Sequence, residues 1–420
     1  MKEISGGVCA PKGFKAGGVW CGIKASSNKR DLALIYSEKE CNAAAVFTTN
    51  RVKAAPVLVS QEHLAGGKLR AIIANSGNAN TCTGEEGLAS ARRMAELAAG
   101  EFALDPGEVA VASTGVIGVP LPIAAIEHSI DDLANSLSGD EEGHAAALEA
   151  IMTTDIAKKD ISVEFEIGGL PVRIGGMTKG SGMLHPNMAT MLCFLTTDAA
   201  ISAELLNKSL RRAVGRSFNR VTVDGDTSTN DTVIIMANGM ATGPAAGMAA
   251  GTAAGTAAIT EGSGEYEIFA GALEECCVRL ARAMAGDGEG ATKLVTVTVS
   301  GAADEQTAET LAKSVASSSL VKAACFGADA NWGRILCAMG YSGAEFDPGK
   351  TGVRFKSNAG EILMCSAGTP VPFSEEKAKQ VLCEDEIEIL IDTGGGSGSA
   401  TVWGCDLTYD YVKINGDYRS

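Results

Sequence analysis

Strand-length apolar runs alternate with segments of helical periodicity along this chain of 420 residues. Residues 84–102 place Leu88, Ala91, Met94 and Leu97 on one face of a helix, because the residues of one face recur every three or four positions. Strand-like runs surround it, bounded by Gly, Asn or Lys; they are 31–36, 44–49, 55–60, 69–77 and 108–115. This alternation predicts an α/β fold.

The second half of the chain repeats the pattern. Helices are expected at 202–218, 265–285 and 303–317. Strands are expected at 219–223, 231–238, 293–300 and 386–394. The Ala- and Gly-rich segment 237–264 between two of these elements has low complexity, which predicts a mobile surface loop.

Charge and cysteine content exclude several classes of function. The chain carries 35 Lys and Arg against 51 Asp and Glu, a net charge of −16, which disfavours nucleic acids and anionic membranes as partners. No apolar run approaches the ~18 residues of a spanning helix, and we see no signal peptide. The 12 cysteines form no C-x-x-C pair and only 4 histidines accompany them. We therefore expect reduced thiols, no metal site and a cytoplasmic location.

Two motifs resemble ligand loops but lack the residues that such loops require. The stretch 224–231 begins like a calcium loop, yet Thr229 and Ile235 occupy the positions that need Gly and Glu. It is better interpreted as a polar turn near the active site. The glycine-rich segments 286–290 and 393–399 lack the Lys-Ser/Thr pair of a phosphate-binding loop. A nucleotide site is therefore not expected.

Thr190 is the candidate nucleophile. A glycine-rich loop leads through Ala189 to this threonine, which precedes the apolar run Met191–Thr197. If the chain cleaves itself before Thr190, the new α-amine, with a pKa of about 8, lies beside the hydroxyl and can act as its base. No separate histidine is then required. His185, the histidine nearest in sequence, is expected to have no chemical role.

Nine segments together resemble the ornithine acetyltransferase (glutamate N-acetyltransferase) family of arginine biosynthesis. They span residues 6 to 420 in the family's order. They read GGVCAPKGFKAGGV, NSGNANTCTG, ASTGVIG, MTTD, TKGSGMLHPNMATML, VDGDTSTNDT, GDGEGATK, GADANWGRI and NGDYRS. The resemblance implies a self-cleaved ArgJ/DmpA-like α/β fold, with mixed β-sheets packed between helices and a smaller C-terminal α/β lobe.

The resemblance also implies roles for individual residues. Cleavage between Ala189 and Thr190 would give an α chain, 1–189, and a β chain, 190–420, that begins with the nucleophile. Thr114 and Gly115 would form the oxyanion hole, where donors aimed at a developing negative charge stabilise it. The implied substrate contacts are Thr153 or Thr154, Lys179, Thr190, Glu289, Asn415 and Ser420. The Asp and Asn residues of 224–231 and the loop of Arg334 are expected to brace the site or an interface.

By this resemblance the reaction is a ping-pong transfer. The acetyl group of N2-acetylornithine moves to Thr190 and then to glutamate, with acetyl-CoA as an additional donor. The resemblance further implies no bound cofactor and an α2β2 heterotetramer of the two chains. Two alternatives remain open: a self-processing N-terminal-Thr hydrolase, such as an aminopeptidase or amidase, and a binding protein that stays uncleaved.

Overall fold

The computed structural model describes residues 1–24, 28–185, 191–241 and 259–416. These form two compact units. The first is drawn from 1–180, 191–218 and 227–280, and the second from 181–185, 219–226 and 281–416.

The strands and helices follow in chain order. The strands of the described residues are β1 (Lys2–Glu3), β2 (Phe14–Val19), β3 (Leu32–Phe47), β4 (Lys68–Asn78), β5 (Val109–Val116), β6 (Lys159–Ile167), β7 (Leu170–Lys179), β8 (Leu192–Thr197), β9 (Val221–Thr222), β10 (Thr232–Ala237), β11 (Leu294–Ala302), β12 (Gly352–Ser357), β13 (Gly360–Ser366), β14 (Thr369–Pro370), β15 (Glu386–Asp392) and β16 (Gly398–Cys405). The helices are α1 (Ala55–His63), α2 (Gly84–Glu101), α3 (Ile123–Asn135), α4 (Glu141–Ile151), α5 (Ala203–Arg216), α6 (Gly264–Gly286), α7 (Glu305–Ser317), α8 (Ser319–Phe326), α9 (Trp332–Gly340), α10 (Glu375–Leu382) and α11 (Tyr409–Gly416).

A mixed sheet forms the centre of the first unit. Its strands follow the order β1-β6-β7-β8-β10-β3-β4-β5, with β2 also paired to β3. The pairs β4–β5 and β8–β10 are parallel. Because parallel neighbours end at the same edge, the carboxyl ends of β4 and β5 bring their final residues together.

Both faces of this sheet are covered by helices. Side chains alternate along a strand, so Leu32 and Leu34 face one side and Ala33 and Ile35 the other. The first pair joins a buried cluster with residues of α1, α2 and α3, and the second pair joins a cluster with residues of α4. A sheet buried on both faces accounts for the continuous apolar runs of the sequence.

The second unit is a smaller α/β lobe. Its sheet follows the order β14-β13-β12-β15-β11-β16-β9, and it is also mixed, with β11 parallel to β15 and antiparallel to β16. Val295, Val297 and Val299 of β11 pack in one core with residues of α7, α8, α9 and α10. The prediction of mixed sheets packed with helices, with a smaller C-terminal α/β lobe, is confirmed.

Most predicted elements are present, and one prediction was wrong. Residues 55–60 form the start of α1 rather than a strand. Pro56 lies in the first turn of this helix, where its missing N–H costs nothing and its fixed φ suits the helix. Burial of Val57 and Val59 against the core outweighs the strand preference of their branched side chains.

Three further predicted segments differ from expectation in detail. Of the predicted strand 219–223, only Val221 and Thr222 form a strand, because Phe218–Arg220 form a 3-10 helix. The runs 31–36 and 44–49 belong largely to one strand, β3, whose register with β4 shifts between Tyr36 and Cys41. Of the predicted loop 237–264, residues 242–258 lie outside the described residues.

The twelve cysteines are all unpaired, as expected of reduced thiols. Eight of them are buried, whereas Cys82, Cys337 and Cys383 are exposed. Across the described residues, every helix is too short or too polar to cross a membrane.

Truncation of Met94 tests the packing of α2 on the sheet. This side chain is fully buried, so Met94→Ala is expected to lower the free energy of unfolding by about 2–5 kcal/mol through the cavity it leaves. Glu96→Ala, on the exposed face of the same helix, is the matched control and should change it by no more than about 0.5 kcal/mol. Urea denaturation followed by circular dichroism measures both. Equal losses would show that α2 does not pack as described.

Candidate functional site

The oxyanion-hole candidates lie where β4 and β5 end side by side. Ser76 pairs with Thr114 and Gly77 with Gly115. Gly115 has φ +133°, and a Cβ there would lie 2.3 Å from the carbonyl carbon of Gly77. Only glycine fits so close an approach in this conformation. The backbone at 114–115 is therefore fixed in place by its neighbour strand.

Asn230 braces this strand end through its side-chain amide. Its Nδ2 donates to the carbonyl oxygens of Ser113, at 2.8 Å, and Ala79, at 2.7 Å. Its Oδ1 accepts from Thr81 at 2.8 Å. The polar turn 224–231 thus contributes a buried amide that holds the residue before Thr114.

Asp155 organises the charged part of the first unit. Its Oδ1 accepts from Lys159 Nζ at 2.7 Å and from the backbone N–H of Gly180 at 2.8 Å. Its Oδ2 accepts from the N–H of Thr153 at 3.0 Å and lies 4.0 Å from Lys179 Nζ. The carboxylate is fully buried, and the two lysine side chains are 1% and 3% exposed. Burial favours the neutral acid, but the lysines outweigh it and hold the pKa of Asp155 well below its ordinary value.

Lys179 extends from the end of β7 toward the oxyanion-hole candidates. Its Nζ donates to Thr114 Oγ1 at 3.4 Å. Lys24 lies near enough for its charge and that of Lys179 to repel each other. Burial is the main cause that lowers the pKa of Lys24 to about 8, with Lys179 adding to it and Asp31 opposing it. The first unit therefore places one buried lysine, Lys179, beside Thr114, where it could pair with a substrate carboxylate.

Asp231 is buried beside the start of the strand that follows the candidate nucleophile. It precedes β10 and has no exposed surface. Its Oδ1 accepts from the N–H of Met191 at 2.9 Å. A buried carboxylate thus holds the backbone one residue beyond Thr190.

In the second unit, the Glu289 carboxylate lies against Gly182 and accepts a hydrogen bond from the Asn415 side chain. Its Oε2 accepts from Asn415 Nδ2 at 2.8 Å, and its own N–H donates to Ser181 O at 2.7 Å. A Cβ on Gly182 would lie 2.3 Å from Oε2, so a larger residue there would displace the Glu289 carboxylate. The structure therefore brings together Glu289 and Asn415, two residues that the sequence predicted separately.

Asp224 holds the chain that leads to the candidate cleavage point. It accepts from the N–H groups of Met183, at 2.6 Å, and Leu184, at 2.9 Å. Burial raises the pKa of Asp224 against these hydrogen bonds. Burial, reinforced by the charge of Asp224, also raises the pKa of Tyr411.

His185 and Arg334 make ordinary structural contacts. His185 Nδ1 lies 3.2 Å from Thr222 Oγ1, and burial lowers the pKa of this histidine, helped by the charge of Lys313. Arg334 donates to Leu320 O at 2.8 Å. Within the described parts of the chain, no group of three His, Cys, Asp or Glu side chains is placed to hold a metal ion.

The remaining site predictions have different outcomes. Ala189, Thr190 and Ser420 lie outside the described residues. Thr153 and Thr154 are both half-buried, next to Asp155. The sequence reasoning missed Lys24, Asp155 and the individual parts played by Asp224 and Asp231. A signal for three of them was present, because Asp155, Asp224 and Asp231 lie inside the motifs MTTD and VDGDTSTNDT.

Comparison with known proteins gives one consistent result. A family model described as the ArgJ family matches residues 15–420. The chain is 52% identical over 421 residues to the arginine biosynthesis bifunctional protein ArgJ of Symbiobacterium thermophilum, covering 100% of both. It is 50% identical over 420 residues to the protein of the same name from Caldanaerobacter subterraneus, again covering 100% of both.

Two solved structures, of an ArgJ protein and of an ornithine acetyltransferase, are also similar to this chain. The bifunctional protein ArgJ of Bacillus halodurans is 43% identical, with a TM-score of 0.48, covering 53% of this chain and 97% of that one. The ornithine acetyltransferase of Mycobacterium tuberculosis, solved with ornithine, is 39% identical, with a TM-score of 0.41, covering 44% of this chain and 96% of that one.

Replacement of the Asp155 carboxylate tests its role as the partner of two buried lysines. Asp155→Asn leaves those charges unbalanced and is expected to lower the free energy of unfolding by about 3–5 kcal/mol at pH 7. Glu40→Gln, which removes an exposed partner of Lys68, is the control and should cost at most about 1 kcal/mol.

The pH dependence of this loss has a defined direction. Because folding lowers the pKa of Asp155, its contribution is fully present above its unfolded pKa of about 4. The contribution is lost as the pH falls from there toward the lower folded pKa. The gap in unfolding temperature between wild type and Asp155→Asn should therefore stay constant from pH 8 to about 5 and narrow below about 4. A gap that disappears near neutral pH would argue against the charge pairing.

Proposed function

Because the chain belongs to the ArgJ family of acyltransferases, we propose that it transfers the acetyl group of N2-acetylornithine to glutamate through an ester on Thr190. The observation that carries this proposal is the buried Lys179 ammonium held 3.4 Å from Thr114 Oγ1 at the end of β5. Polar donors and a fixed glycine backbone meet there, as acyl transfer requires for its oxyanion.

The first step of the proposal is self-cleavage. Thr190 Oγ1 attacks the carbonyl carbon of Ala189, and the peptide nitrogen leaves as the amine of Thr190, so that an ester replaces the peptide bond. Water then hydrolyses the ester, which restores the hydroxyl and releases Ala189 as a carboxylate. The products are an α chain, 1–189, and a β chain, 190–420.

Acetyl transfer uses the same hydroxyl. The α-amine of Thr190 accepts the hydroxyl proton while Oγ1 attacks the acetyl carbonyl of N2-acetylornithine. Donors at Thr114 and Gly115 stabilise the oxyanion, which collapses as ornithine leaves with the proton. The amine of glutamate then attacks the acetyl ester, its proton passes to Thr190, and N-acetylglutamate departs.

Each unit contributes charged residues whose chemistry suits one charged group of an amino acid. Lys179 would bind a carboxylate, and Glu289, held by Asn415, would bind an ammonium group. Thr153 or Thr154 and Ser420 complete the proposed contacts. The curated relatives are named bifunctional, and we propose that the second activity uses acetyl-CoA as the donor. We also propose no bound cofactor, an α2β2 assembly and a cytoplasmic location.

Thr190→Ala tests the first step. Denaturing mass spectrometry of wild type should give two chains, of which the larger begins Thr-Met-Leu on N-terminal sequencing, and the variant should stay whole at 42.9 kDa. The variant loses the attacking hydroxyl, so both cleavage and transfer should disappear. An intact wild-type chain with full transfer activity would rule out an N-terminal nucleophile.

Glutamate dependence separates transfer from hydrolysis. Cleaved wild type should release ornithine from N2-acetylornithine in catalytic amounts only when glutamate is present, with parallel lines in double-reciprocal plots. Steady release of acetate without glutamate would instead identify an N-terminal-Thr hydrolase.

Glu289→Gln tests the substrate ammonium contact. The variant keeps the shape and the partner Asn415 but loses the charge. We expect KM for N2-acetylornithine to rise about 10- to 150-fold, since charged hydrogen bonds contribute about 1.5–3 kcal/mol. Glu361→Gln, which removes an exposed partner of Arg354, is the control and should leave KM unchanged. An unchanged KM in Glu289→Gln would remove this residue from the substrate site.

A further inference from the structure

Lys24 connects the end of β4 to the end of α4. Its Nζ donates to the carbonyl oxygen of Met152, at 2.7 Å, and to that of Arg30, at 3.1 Å. A Cβ on Gly77 would lie 3.0 Å from Lys24 Cγ, so the aliphatic stem passes closely over this glycine. Gly77 in turn pairs with Gly115, an oxyanion-hole candidate. One lysine therefore contacts both the strand end and the helix end.

The Met152 carbonyl lies where a helix lacks internal donors. Met152 is the residue at which α4 ends, and the last carbonyl groups of a helix have no N–H partner within it. A cation at this position also interacts favourably with the partial negative charge of the helix C-terminus. Burial is the main cause that lowers the pKa of Lys24 to about 8, so the side chain still carries its charge at pH 7.

The opposite charge holds the other end of the same peptide group. The peptide between Met152 and Thr153 contains the Met152 carbonyl and the Thr153 N–H, and that N–H donates to Asp155 Oδ2 at 3.0 Å. An ammonium thus binds the peptide oxygen, while a carboxylate binds the peptide hydrogen. Hydrogen bonds with a charged partner are stronger than neutral ones. Because the peptide is planar, holding both atoms fixes its plane and the direction in which the chain enters Thr153.

That peptide is also tied to the charged residues beside the oxyanion-hole candidates. The Asp155 oxygen that accepts from Thr153 lies 4.0 Å from Lys179 Nζ. Lys179 Nζ in turn donates to Thr114 Oγ1 at 3.4 Å. Without Lys24, the peptide would lose the anchor on its oxygen and keep only the Asp155 contact on its hydrogen. The position of Thr153 relative to Lys179 and Thr114 therefore depends on both anchors.

We propose that Lys24 is a positioning residue for acetyl transfer, which fixes the Met152–Thr153 peptide so that Thr153 meets the substrate beside Lys179. The inference rests on the proposed function, in which Thr153 is a candidate substrate contact. Lys24 itself does not touch the substrate. Its contribution is to substrate binding and is made through Thr153.

A double-mutant cycle on Lys24 and Thr153 tests this role. Lys24→Met removes the donor and should raise KM for N2-acetylornithine about tenfold with kcat changed less than about threefold, because the lost contact serves ground state and transition state alike. Thr153→Val removes the hydroxyl and should raise KM by itself. Since Lys24 acts through Thr153, the two changes should not be additive, and the double variant should have the KM of Thr153→Val.

Two further variants separate this role from a general effect on stability. Lys24→Arg retains a cationic donor and should keep KM within about threefold of wild type. Lys29→Met removes a nearby exposed lysine and is the control, with KM unchanged. Thermal unfolding of every variant is measured in parallel. If Lys24→Met does not fold, Lys24→Gln, which keeps a shorter and uncharged donor, replaces it in the cycle.

The outcomes separate this inference from the proposed function. If wild type transfers acetyl groups but Lys24→Met only lowers the unfolding temperature with KM unmoved, Lys24 merely caps α4 and the inference fails. Changes in KM that multiply in the double variant, or an unchanged KM in Thr153→Val, would also overturn it, because Lys24 would then not act through Thr153. Absence of acetyl transfer by wild type itself would instead remove the proposed function.

Discussion

The buried carboxylate of Asp155 is the interaction on which the charged part of the first unit depends. It balances Lys159 and Lys179 and also accepts from two backbone N–H groups, those of Thr153 and Gly180. Without it, both buried ammonium groups would lose this counter-charge, and removing one partner of a buried ion pair costs about 3–5 kcal/mol. This carboxylate lies 4.0 Å from Lys179 Nζ and helps to hold that side chain beside Thr114. Local charge balance thus supports the lysine that we propose as the contact for a substrate carboxylate.

One short turn holds the chain on each side of the proposed cleavage bond. Asp224 binds the N–H groups of Met183 and Leu184 in the second unit. Asp231, seven positions later, binds the N–H of Met191 in the first unit. Each carboxylate replaces water as the acceptor for backbone groups that form no regular ladder hydrogen bond there. Asp224, the first residue of the stretch that resembles a calcium loop, thus accepts hydrogen bonds from the backbone itself.

The fold class and most elements could be predicted from the sequence, because apolar periodicity records burial directly. The prediction from periodicity failed at 55–60. These residues have a strand-like composition, but they form a helix with a proline in its first turn. Among the candidate site residues, the family motifs name Thr114, Gly115, Lys179, Glu289 and Asn415. The structural roles of Asp155 and Asp231 could not be predicted in this way. Asp155 pairs with Lys179, 24 positions away in the chain, and Asp231 accepts a hydrogen bond from Met191, 40 positions away. Spacing in a sequence does not report such pairings.

Trapping the acetyl-enzyme tests the central claim most directly. Cleaved wild type is mixed with N2-acetylornithine in the absence of glutamate, quenched in acid and digested, and the N-terminal peptide of the β chain is sequenced by mass spectrometry. We predict one acetyl group on the side chain of Thr190, in an amount equal to the ornithine released in the first turnover, and its removal when glutamate is added before the quench. Stoichiometric ornithine release with an unmodified Thr190 would contradict the account.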